Sequence, residues 1–148
     1  MFKLHHVGVL VQDIEAETAN FVNRLGYAVE SEIIEDQAQT AFVRFLRQEG
    51  APSWLELIAP NGAGSKLCNA LKKGGGLHHF CYEVDDLQKA RTNLRKQGMM
   101  MIGEPVSAAA FPDRKIAWLM GHNRILVEIL EHGVGELSLV SIQPVSSS

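Results

Sequence analysis

An internal duplication constrains the fold of this chain more than any other feature of its sequence. Residues 4–14 align with residues 77–87 at an offset of 73 positions, so that His6 matches His79 and Asp13 matches Asp86. The similarity returns where residues 55–58 align with residues 127–130. Each copy therefore carries one histidine and, about fifty positions later, one glutamate, which predicts two related modules.

Hydrophobic periodicity predicts the same order of elements, β-α-β-β-β, in both modules. In the first module, Asp13 precedes apolar residues at helical spacing and Gly26 follows them, which indicates a capped helix over 14–25. The predicted strands of this module are 4–11, 27–34, 40–46 and 54–59. The second module is predicted to contain strands at 78–84, 99–103, 115–120 and 125–131, and a helix over 86–97.

The 148 residues suffice for one domain, whereas two halves of roughly 70 residues are each marginal alone. We expect module 1 at about 3–60, a connector at 61–76, module 2 at about 77–132 and a tail at 133–148, where 136–142 offers a further edge strand. Ser65 is predicted to cap a short connector helix over 65–73. The predicted fold class is α+β, with two tandem βαβββ modules forming one curved mixed sheet around a metal-binding cavity.

Composition gives no indication of a nucleic-acid or membrane partner. The net charge is −3, the isoelectric point is near 6.1 and no basic tract is present. No apolar segment has the length of a membrane span, and the first residues lack a signal-peptide pattern, so a cytoplasmic location is expected. Cys68 and Cys81 occur in different contexts and are expected to be free thiols.

Strand alternation places four polar groups on one side of the predicted sheet. His6 and His79 alternate with small or polar residues, and Glu56 and Glu128 point to the same open side. Two imidazoles and two carboxylates suit a divalent cation such as zinc, nickel, cobalt, manganese or iron. A single strand histidine usually has a structural role, but both residue types recur here at matched spacing, which favours a metal site.

The remaining histidines are predicted to have other roles. His5 and His78 lie on strand faces that carry bulky apolar residues, and those faces are expected to pack beneath the helices. Both histidines are expected to be structural or to support a neighbouring ligand. His122 and His132 fall in loop-like segments and are expected to be solvated.

The motifs around the four candidate ligands resemble those of the vicinal oxygen chelate superfamily, over about residues 3–131. They are His-His-Val-Gly-Val-Leu-Val at 5–11, Glu-Leu-Ile-Ala-Pro at 56–60, Gly-Gly-Gly-Leu-His-His at 74–79 and Leu-Val-Glu-Ile-Leu at 126–130. Within the superfamily, the sequence is most similar to the methylmalonyl-CoA epimerase branch. The resemblance implies a divalent metal bound by His6, Glu56, His79 and Glu128, and a homodimer.

Two positions depart from the epimerase pattern. Epimerases often have glutamine at the position of Glu56, whereas relatives of glyoxalase I have glutamate there. The epimerase pattern also places a separate catalytic glutamate on the strand that corresponds to 40–46, and this segment contains no acidic residue.

A metal site of this kind favours proton abstraction next to a carbonyl, because the metal stabilises the developing enolate. By resemblance to glyoxalase I, Glu128 or Glu56 takes the proton after loosening from the metal, and we favour Glu128. A CoA thioester also needs cations for its phosphates, and the candidates are Lys66, Lys72 and Lys73, with Arg91, Arg95 and Lys96; the alternative is that these cations cover solvated helix faces.

The first functional hypothesis is a metal-dependent isomerase or epimerase that acts on methylmalonyl-CoA or a related acyl thioester. A second is a glyoxalase I-type lyase acting on a hemithioacetal, which Glu56 supports. A third is a non-catalytic small-molecule-binding protein of the resistance type, which the presence of all four candidate ligands disfavours. An extradiol dioxygenase is less favoured, because such sites use two histidines and one carboxylate. In all these hypotheses Trp54 and Trp118 are candidates to line the cavity.

Overall fold

The computed structural model describes residues 1–133, in which nine strands form one mixed sheet with three helices. The strands are β1 (Lys3–Leu10), β2 (Tyr27–Val29), β3 (Ile34–Asp36), β4 (Ala41–Gln48), β5 (Trp54–Pro60), β6 (Gly76–Val84), β7 (Met100–Ser107), β8 (Lys115–Met120) and β9 (Leu126–Glu131). The helices are α1 (Ile14–Leu25), α2 (Cys68–Lys72) and α3 (Leu87–Lys96).

The sheet joins the two modules without a break. Its strand order is β2-β4-β5-β1-β6-β9-β8-β7, and β3 pairs with β4 beside β2. β1 runs parallel to β5 in the first module just as β6 runs parallel to β9 in the second, and β1 and β6 pair antiparallel at the centre. The predicted α+β fold, an open curved sheet built from two modules, is confirmed.

Equivalent caps begin the long helices of the two modules. The Asp13 carboxylate accepts a hydrogen bond of 3.1 Å from the backbone N–H of Ala16, and α1 ends at Gly26, whose φ of 73° is left-handed. Asp86 accepts from the N–H of Lys89 at 3.0 Å and begins α3 in the same way. Both predicted helices of the modules are confirmed within one residue at each end.

Each long helix packs on the convex side of the sheet. Val11, Leu55 and Leu57 lie in the buried cluster beneath α1, and Val84 and Ile129 lie in the equivalent cluster beneath α3. A third cluster fills the concave side, and its largest side chains are those of Phe45, Trp54, Ile58, Phe111 and Leu130. Strand alternation therefore separates two helix-covered cores from a concave side, which holds the candidate ligands.

Three predicted boundaries are wrong. The strand predicted over 27–34 is divided into β2 and β3, because the chain leaves the sheet at Ser31, whose hydroxyl accepts the backbone N–H of Phe45 at 2.9 Å. The connector helix begins at Cys68, since Ser65 instead donates to the Thr40 carbonyl at 2.6 Å. The strand predicted over 99–103 extends to Ser107. The edge strand at 136–142 lies outside the described residues.

Within residues 1–133, no helix combines the length and the apolar character needed to cross a membrane. The two cysteines, Cys68 and Cys81, are free thiols, as predicted.

The paired caps give a direct test of the duplicated fold. Removing the acceptor in Asp13→Ala or Asp86→Ala leaves helix N–H groups unsatisfied, and each change is expected to lower the free energy of unfolding by about 1 kcal/mol. The double variant should lose about 2 kcal/mol, because the two caps share no partner. Urea denaturation measures the losses, and the Asn variants, which keep an acceptor, are the controls. Equal stability of the Ala and Asn variants would contradict the capping role.

Candidate metal centre

The four predicted ligands converge at the centre of the concave side. His6 Nε2 lies 3.5 Å from Glu56 Oε1 and 3.3 Å from Glu128 Oε1. His79 Nε2 lies 3.3 Å and 3.7 Å from the same two oxygens, and the two Nε2 atoms are 3.1 Å apart. The structure thus brings together donor atoms that are separated by up to 122 positions in the chain.

These donors are buried and spaced as metal ligands are. His6 and His79 are each 1% exposed, and Glu56 and Glu128 are also buried. Two donors bound to one ion at about 2.1 Å lie about 3.0–3.4 Å apart, at angles between square and tetrahedral. The separation of the two imidazoles, 3.1 Å, and those between imidazoles and carboxylates, 3.3–3.7 Å, are close to these values, so the imidazoles and a carboxylate are near enough to share a divalent cation.

The electrostatics of the cluster also require a positive charge. No lysine or arginine within residues 1–133 forms an ion pair with Glu56 or Glu128. Burial favours a raised pKa for Glu56, but the neighbouring His6 and His79 outweigh it and hold that pKa below its usual range. Burial opposes protonation of His6, yet Cys81 and Glu56 outweigh it and raise its pKa. A metal cation bound here would supply positive charge to both carboxylates.

The predicted side of the sheet is wrong for His5 and His78, because both rings lie on the concave side. Each is the extra residue at a shift in the β1–β6 register: Leu4 pairs with Tyr82 and His6 with Cys81, which leaves His5 unmatched. His78 is unmatched in the same way on β6. A bulge turns the side chain of the extra residue toward the face of its neighbour, and alternation alone does not reveal this.

Each of these histidines hydrogen-bonds to the candidate ligand that follows it. The Nδ1 atoms of His5 and His6 are 2.8 Å apart, and so are those of His78 and His79. Burial, reinforced by the adjacent histidine, lowers the pKa of His5 to about 3 and that of His78 to about 4. Both rings are therefore neutral at ordinary pH, so each has a nitrogen lone pair that can accept a hydrogen bond from its neighbour.

A glycine makes room for one of the candidate ligands. A Cβ atom at Gly8 would lie 2.2 Å from the ring of His79, so a side chain at this position would displace the imidazole. Cys81 occupies the equivalent position in the second module, 73 residues later, and its buried thiol lies beside His6. The sequence places Cys81 on the correct face but gives no sign of this contact.

Aromatic residues enclose the centre, and a cavity opens beside it. The Trp118 ring packs 4.9 Å from that of His79, and Trp54 packs 4.9 Å from that of His5, so both tryptophans lie on the concave side. The cavity has a volume of about 250 Å³, and Trp118 lines it together with Asp36 and Gln39 from the first module. Sequence analysis missed Asp36, because it lies at the end of a three-residue strand next to a turn.

The predicted phosphate-binding cations are not gathered into one site. Lys66 Nζ lies 3.3 Å from the carbonyl of Ala38, a residue that lines the cavity, whereas Lys72 and Lys73 are exposed beyond it. Arg91 is buried against Glu104 at 3.6 Å, on the convex side with the other cations of α3.

Of the two loop histidines, His122 is exposed as predicted, but His132 contacts Glu83 at 3.1 Å.

Comparison with known proteins identifies acyl-CoA epimerases among the relatives of the chain. The chain is 36% identical to an ethylmalonyl-CoA/methylmalonyl-CoA epimerase of Cereibacter sphaeroides over 104 residues, 68% of this chain and 75% of that protein. It is 33% identical over 110 residues to the human mitochondrial methylmalonyl-CoA epimerase, covering 73% of this chain and 61% of that protein. The chain thus spans about three-fifths of the length of the human relative.

Solved structures share the fold at lower identity. A methylmalonyl-CoA epimerase from Mycobacterium tuberculosis superposes with a TM-score of 0.79 at 24% identity, over 89% of each chain. A variant of the Streptomyces coelicolor methylmalonyl-CoA epimerase in complex with 2-nitronate-propionyl-CoA superposes with a TM-score of 0.76 at 21% identity, over 89% of this chain and 98% of that one.

The sequence model of the Glyoxalase/Bleomycin resistance protein/Dioxygenase superfamily matches residues 5–118, which include the candidate ligand histidines of both modules. The predicted resemblance is thereby confirmed, with methylmalonyl-CoA epimerases among the relatives. The chain belongs to the glyoxalase/bleomycin resistance protein/dioxygenase superfamily.

Proposed function

We propose that the protein is a divalent-metal-dependent epimerase that acts on methylmalonyl-CoA or a related 2-substituted acyl-CoA. The observation that carries the proposal is the buried cluster of His6, Glu56, His79 and Glu128, in which the two imidazole nitrogens lie 3.1 Å apart and 3.3–3.7 Å from both carboxylates. The 36% identity to an acyl-CoA epimerase supports this class of substrate. We retain cobalt, nickel, zinc, manganese and iron as the candidate metals.

The four donors suit a resident metal because they combine two carboxylates with two neutral imidazoles in a buried place. A divalent ion bound there supplies a Lewis acid that polarises the thioester carbonyl and stabilises an enolate. The surrounding apolar side chains, including Phe45 and Phe111, exclude water and so strengthen these electrostatic interactions.

Glu128 is the better candidate for proton transfer. Glu56 lies 3.5 Å from His6 and 3.3 Å from His79, so it contacts the two imidazoles almost equally. Glu128 is less evenly held, at 3.3 Å from His6 and 3.7 Å from His79. A carboxylate that leaves the cluster more readily is better able to take a proton from C2 of the acyl group and return it. Glu56 remains the alternative.

The cavity beside the cluster is the proposed site of the acyl group. Lys66 at its rim is the cation best placed for the phosphates of CoA, and Lys72 and Lys73 follow on the adjoining helix. A homodimer and a cytoplasmic location remain predictions. All four proposed ligands come from one chain, so dimerisation is not needed to complete the cluster.

One observation favours a second candidate function. Glutamate at position 56 is typical of glyoxalase I relatives, so a lyase that acts on a hemithioacetal is the alternative. Both reactions begin with proton abstraction next to a carbonyl, and the substrate alone distinguishes them. Complete retention of the four donors disfavours a non-catalytic binding protein.

Deuterium wash-in tests the proposed function. Protein loaded with Co²⁺ in heavy water is expected to introduce one deuterium at C2 of methylmalonyl-CoA, measured by mass spectrometry. A chelator should abolish the exchange, and added Co²⁺ should restore it. Exchange with a methylglyoxal hemithioacetal instead would support the lyase. No exchange with either substrate, despite bound metal, would overturn the assignment.

Substitution of Glu128 tests its role in proton transfer. Glu128→Gln keeps a side-chain oxygen but removes the base, so epimerisation of methylmalonyl-CoA is expected to fall by about 10²–10⁴-fold while Co²⁺ binding stays measurable. The exposed Glu49→Gln variant is the matched control and should epimerise at the unmodified rate. Unchanged epimerisation in Glu128→Gln would remove Glu128 as the base.

The hydrogen bonds from His5 and His78 predict a specific effect on metal affinity. If each accepts Nδ1–H from the next histidine, it leaves the Nε2 lone pair of that ligand free for the metal. The His5→Phe and His78→Phe variants keep an aromatic ring but lose the acceptor, so Co²⁺ affinity should fall by about 10–100-fold. The Asn variants place an oxygen acceptor near the former Nδ1 and should recover affinity.

Competition with a coloured chelator measures these affinities, independently of any enzymatic activity. Thermal unfolding of the metal-free variants separates loss of the acceptor from loss of packing, because the phenylalanine rings can still contact Trp54 and Trp118. Equal Co²⁺ affinity in the Phe and unmodified proteins would show that the hydrogen bonds do not orient the ligands.

A further inference from the structure

Asp36 is a buried carboxylate on the concave side that the proposed mechanism does not yet use. In the β3–β4 pair, Asp36 lies directly opposite Ala41, and Ile34 lies opposite Val43. Residues directly opposite one another in a sheet point to the same face. Ala41 and Val43 belong to the concave-side cluster, so the side chain of Asp36 also faces that side.

The cavity that Asp36 lines lies next to the candidate metal centre, and Trp118 borders both. Asp36 is 7% exposed and lines the cavity of about 250 Å³ on the side of the first module. Trp118 lines it on the side of the second module, and the same ring packs 4.9 Å from that of His79. Trp118 also pairs directly with Glu128 across β8 and β9, so one tryptophan lies beside both the cavity and the ligands.

The contacts of Asp36 provide hydrogen bonds to both carboxylate oxygens but do not neutralise the carboxylate charge. Gln39 donates to both carboxylate oxygens, from its backbone N–H at 3.1 Å and from its side-chain Nε2 at 2.6 Å. Within residues 1–133, no lysine, arginine or histidine forms an ion pair with Asp36. Burial, with a further contribution from the charges of Glu56 and Glu128, raises its pKa.

A turn alone does not require such a residue. Asparagine or serine can accept the backbone N–H of the residue three positions later equally well, without placing a buried charge beside a cavity. A buried carboxylate without a cation, in contact with a cavity beside two other carboxylates, has instead the features of an acid–base group.

We propose that Asp36 is a second acid–base residue of this site, acting on the acyl group from the side of the first module, while Glu128 acts from the second. This assignment rests on the proposed epimerase function. Inversion at C2 needs a proton to leave from one face and another to arrive at the opposite face, which two carboxylates on different walls of a cavity can provide.

The proton transfers balance without a further reagent. In one direction, the Asp36 carboxylate takes the proton from C2, the C–H electron pair moves into the thioester to form the enolate, and protonated Glu128 returns a proton to the other face. The reverse direction exchanges the two roles. Because strand β4 contains no acidic residue, Asp36 on the adjoining strand β3 is the carboxylate that reaches this wall of the cavity.

The Asp36→Asn variant tests the proposal, because it removes the base and keeps an acceptor for the Gln39 N–H. Epimerisation of methylmalonyl-CoA is expected to fall by about 10²–10⁴-fold. Deuterium exchange at C2 should continue, without inversion, from the one enantiomer whose hydrogen faces Glu128. Co²⁺ affinity should not change, since Asp36 is not among the proposed ligands. Each enantiomer is tested separately, and chirality is followed by circular dichroism.

Glu35→Gln is the matched control, because Glu35 is exposed on the adjacent position of the same strand and should keep full epimerisation. Asp36→Ser, which also preserves a turn acceptor, replaces the Asn variant if that protein does not fold. Unchanged epimerisation, or equal loss of exchange from both enantiomers, would overturn the role of Asp36. Absence of exchange in the unmodified protein would instead overturn the proposed function, and this assignment with it.

Discussion

Antiparallel pairing between β1 and β6 holds the two modules together, and the candidate site depends on it. His6 pairs with Cys81 and Gly8 pairs with His79, so the two imidazole ligands come from adjacent strands at this junction. The parallel partners, β5 and β9, supply Glu56 and Glu128 from either side. The four donors are thus fixed by backbone hydrogen bonds in a continuous sheet, and no loop is needed to position them.

Burial gives these polar groups their chemical character. Two carboxylates surrounded by apolar side chains cannot rely on water for compensation, and the described residues offer only imidazoles to balance them. The same environment keeps His5 and His78 neutral. These neutral rings hydrogen-bond to the neighbouring histidines, and no lysine or arginine among the described residues pairs with the two carboxylates. Together these features make the cluster a candidate metal site.

Much of this arrangement could be predicted from the sequence, because duplication and alternation are local signals. The helix caps at Asp13 and Asp86, the two helix-covered cores and the convergence of the four donors follow from spacing alone. The side of the sheet occupied by His5 and His78 could not be predicted in this way. A bulge changes the face toward which a side chain points without changing the hydrophobic pattern. Asp36 was missed for a similar reason, because its facing depends on pairing with Ala41 rather than on its own neighbours in the chain.

The division of the ligands, one histidine and one glutamate from each module, has a consequence for the ancestry of the fold. A single module that paired with a second copy of itself through its first strand would build the same four-donor cluster about a two-fold axis. Fusion of the two copies then allows each half to change independently. Gly8 and Cys81 show the result: they occupy equivalent positions, yet one leaves space for the opposite imidazole and the other places a thiol against it.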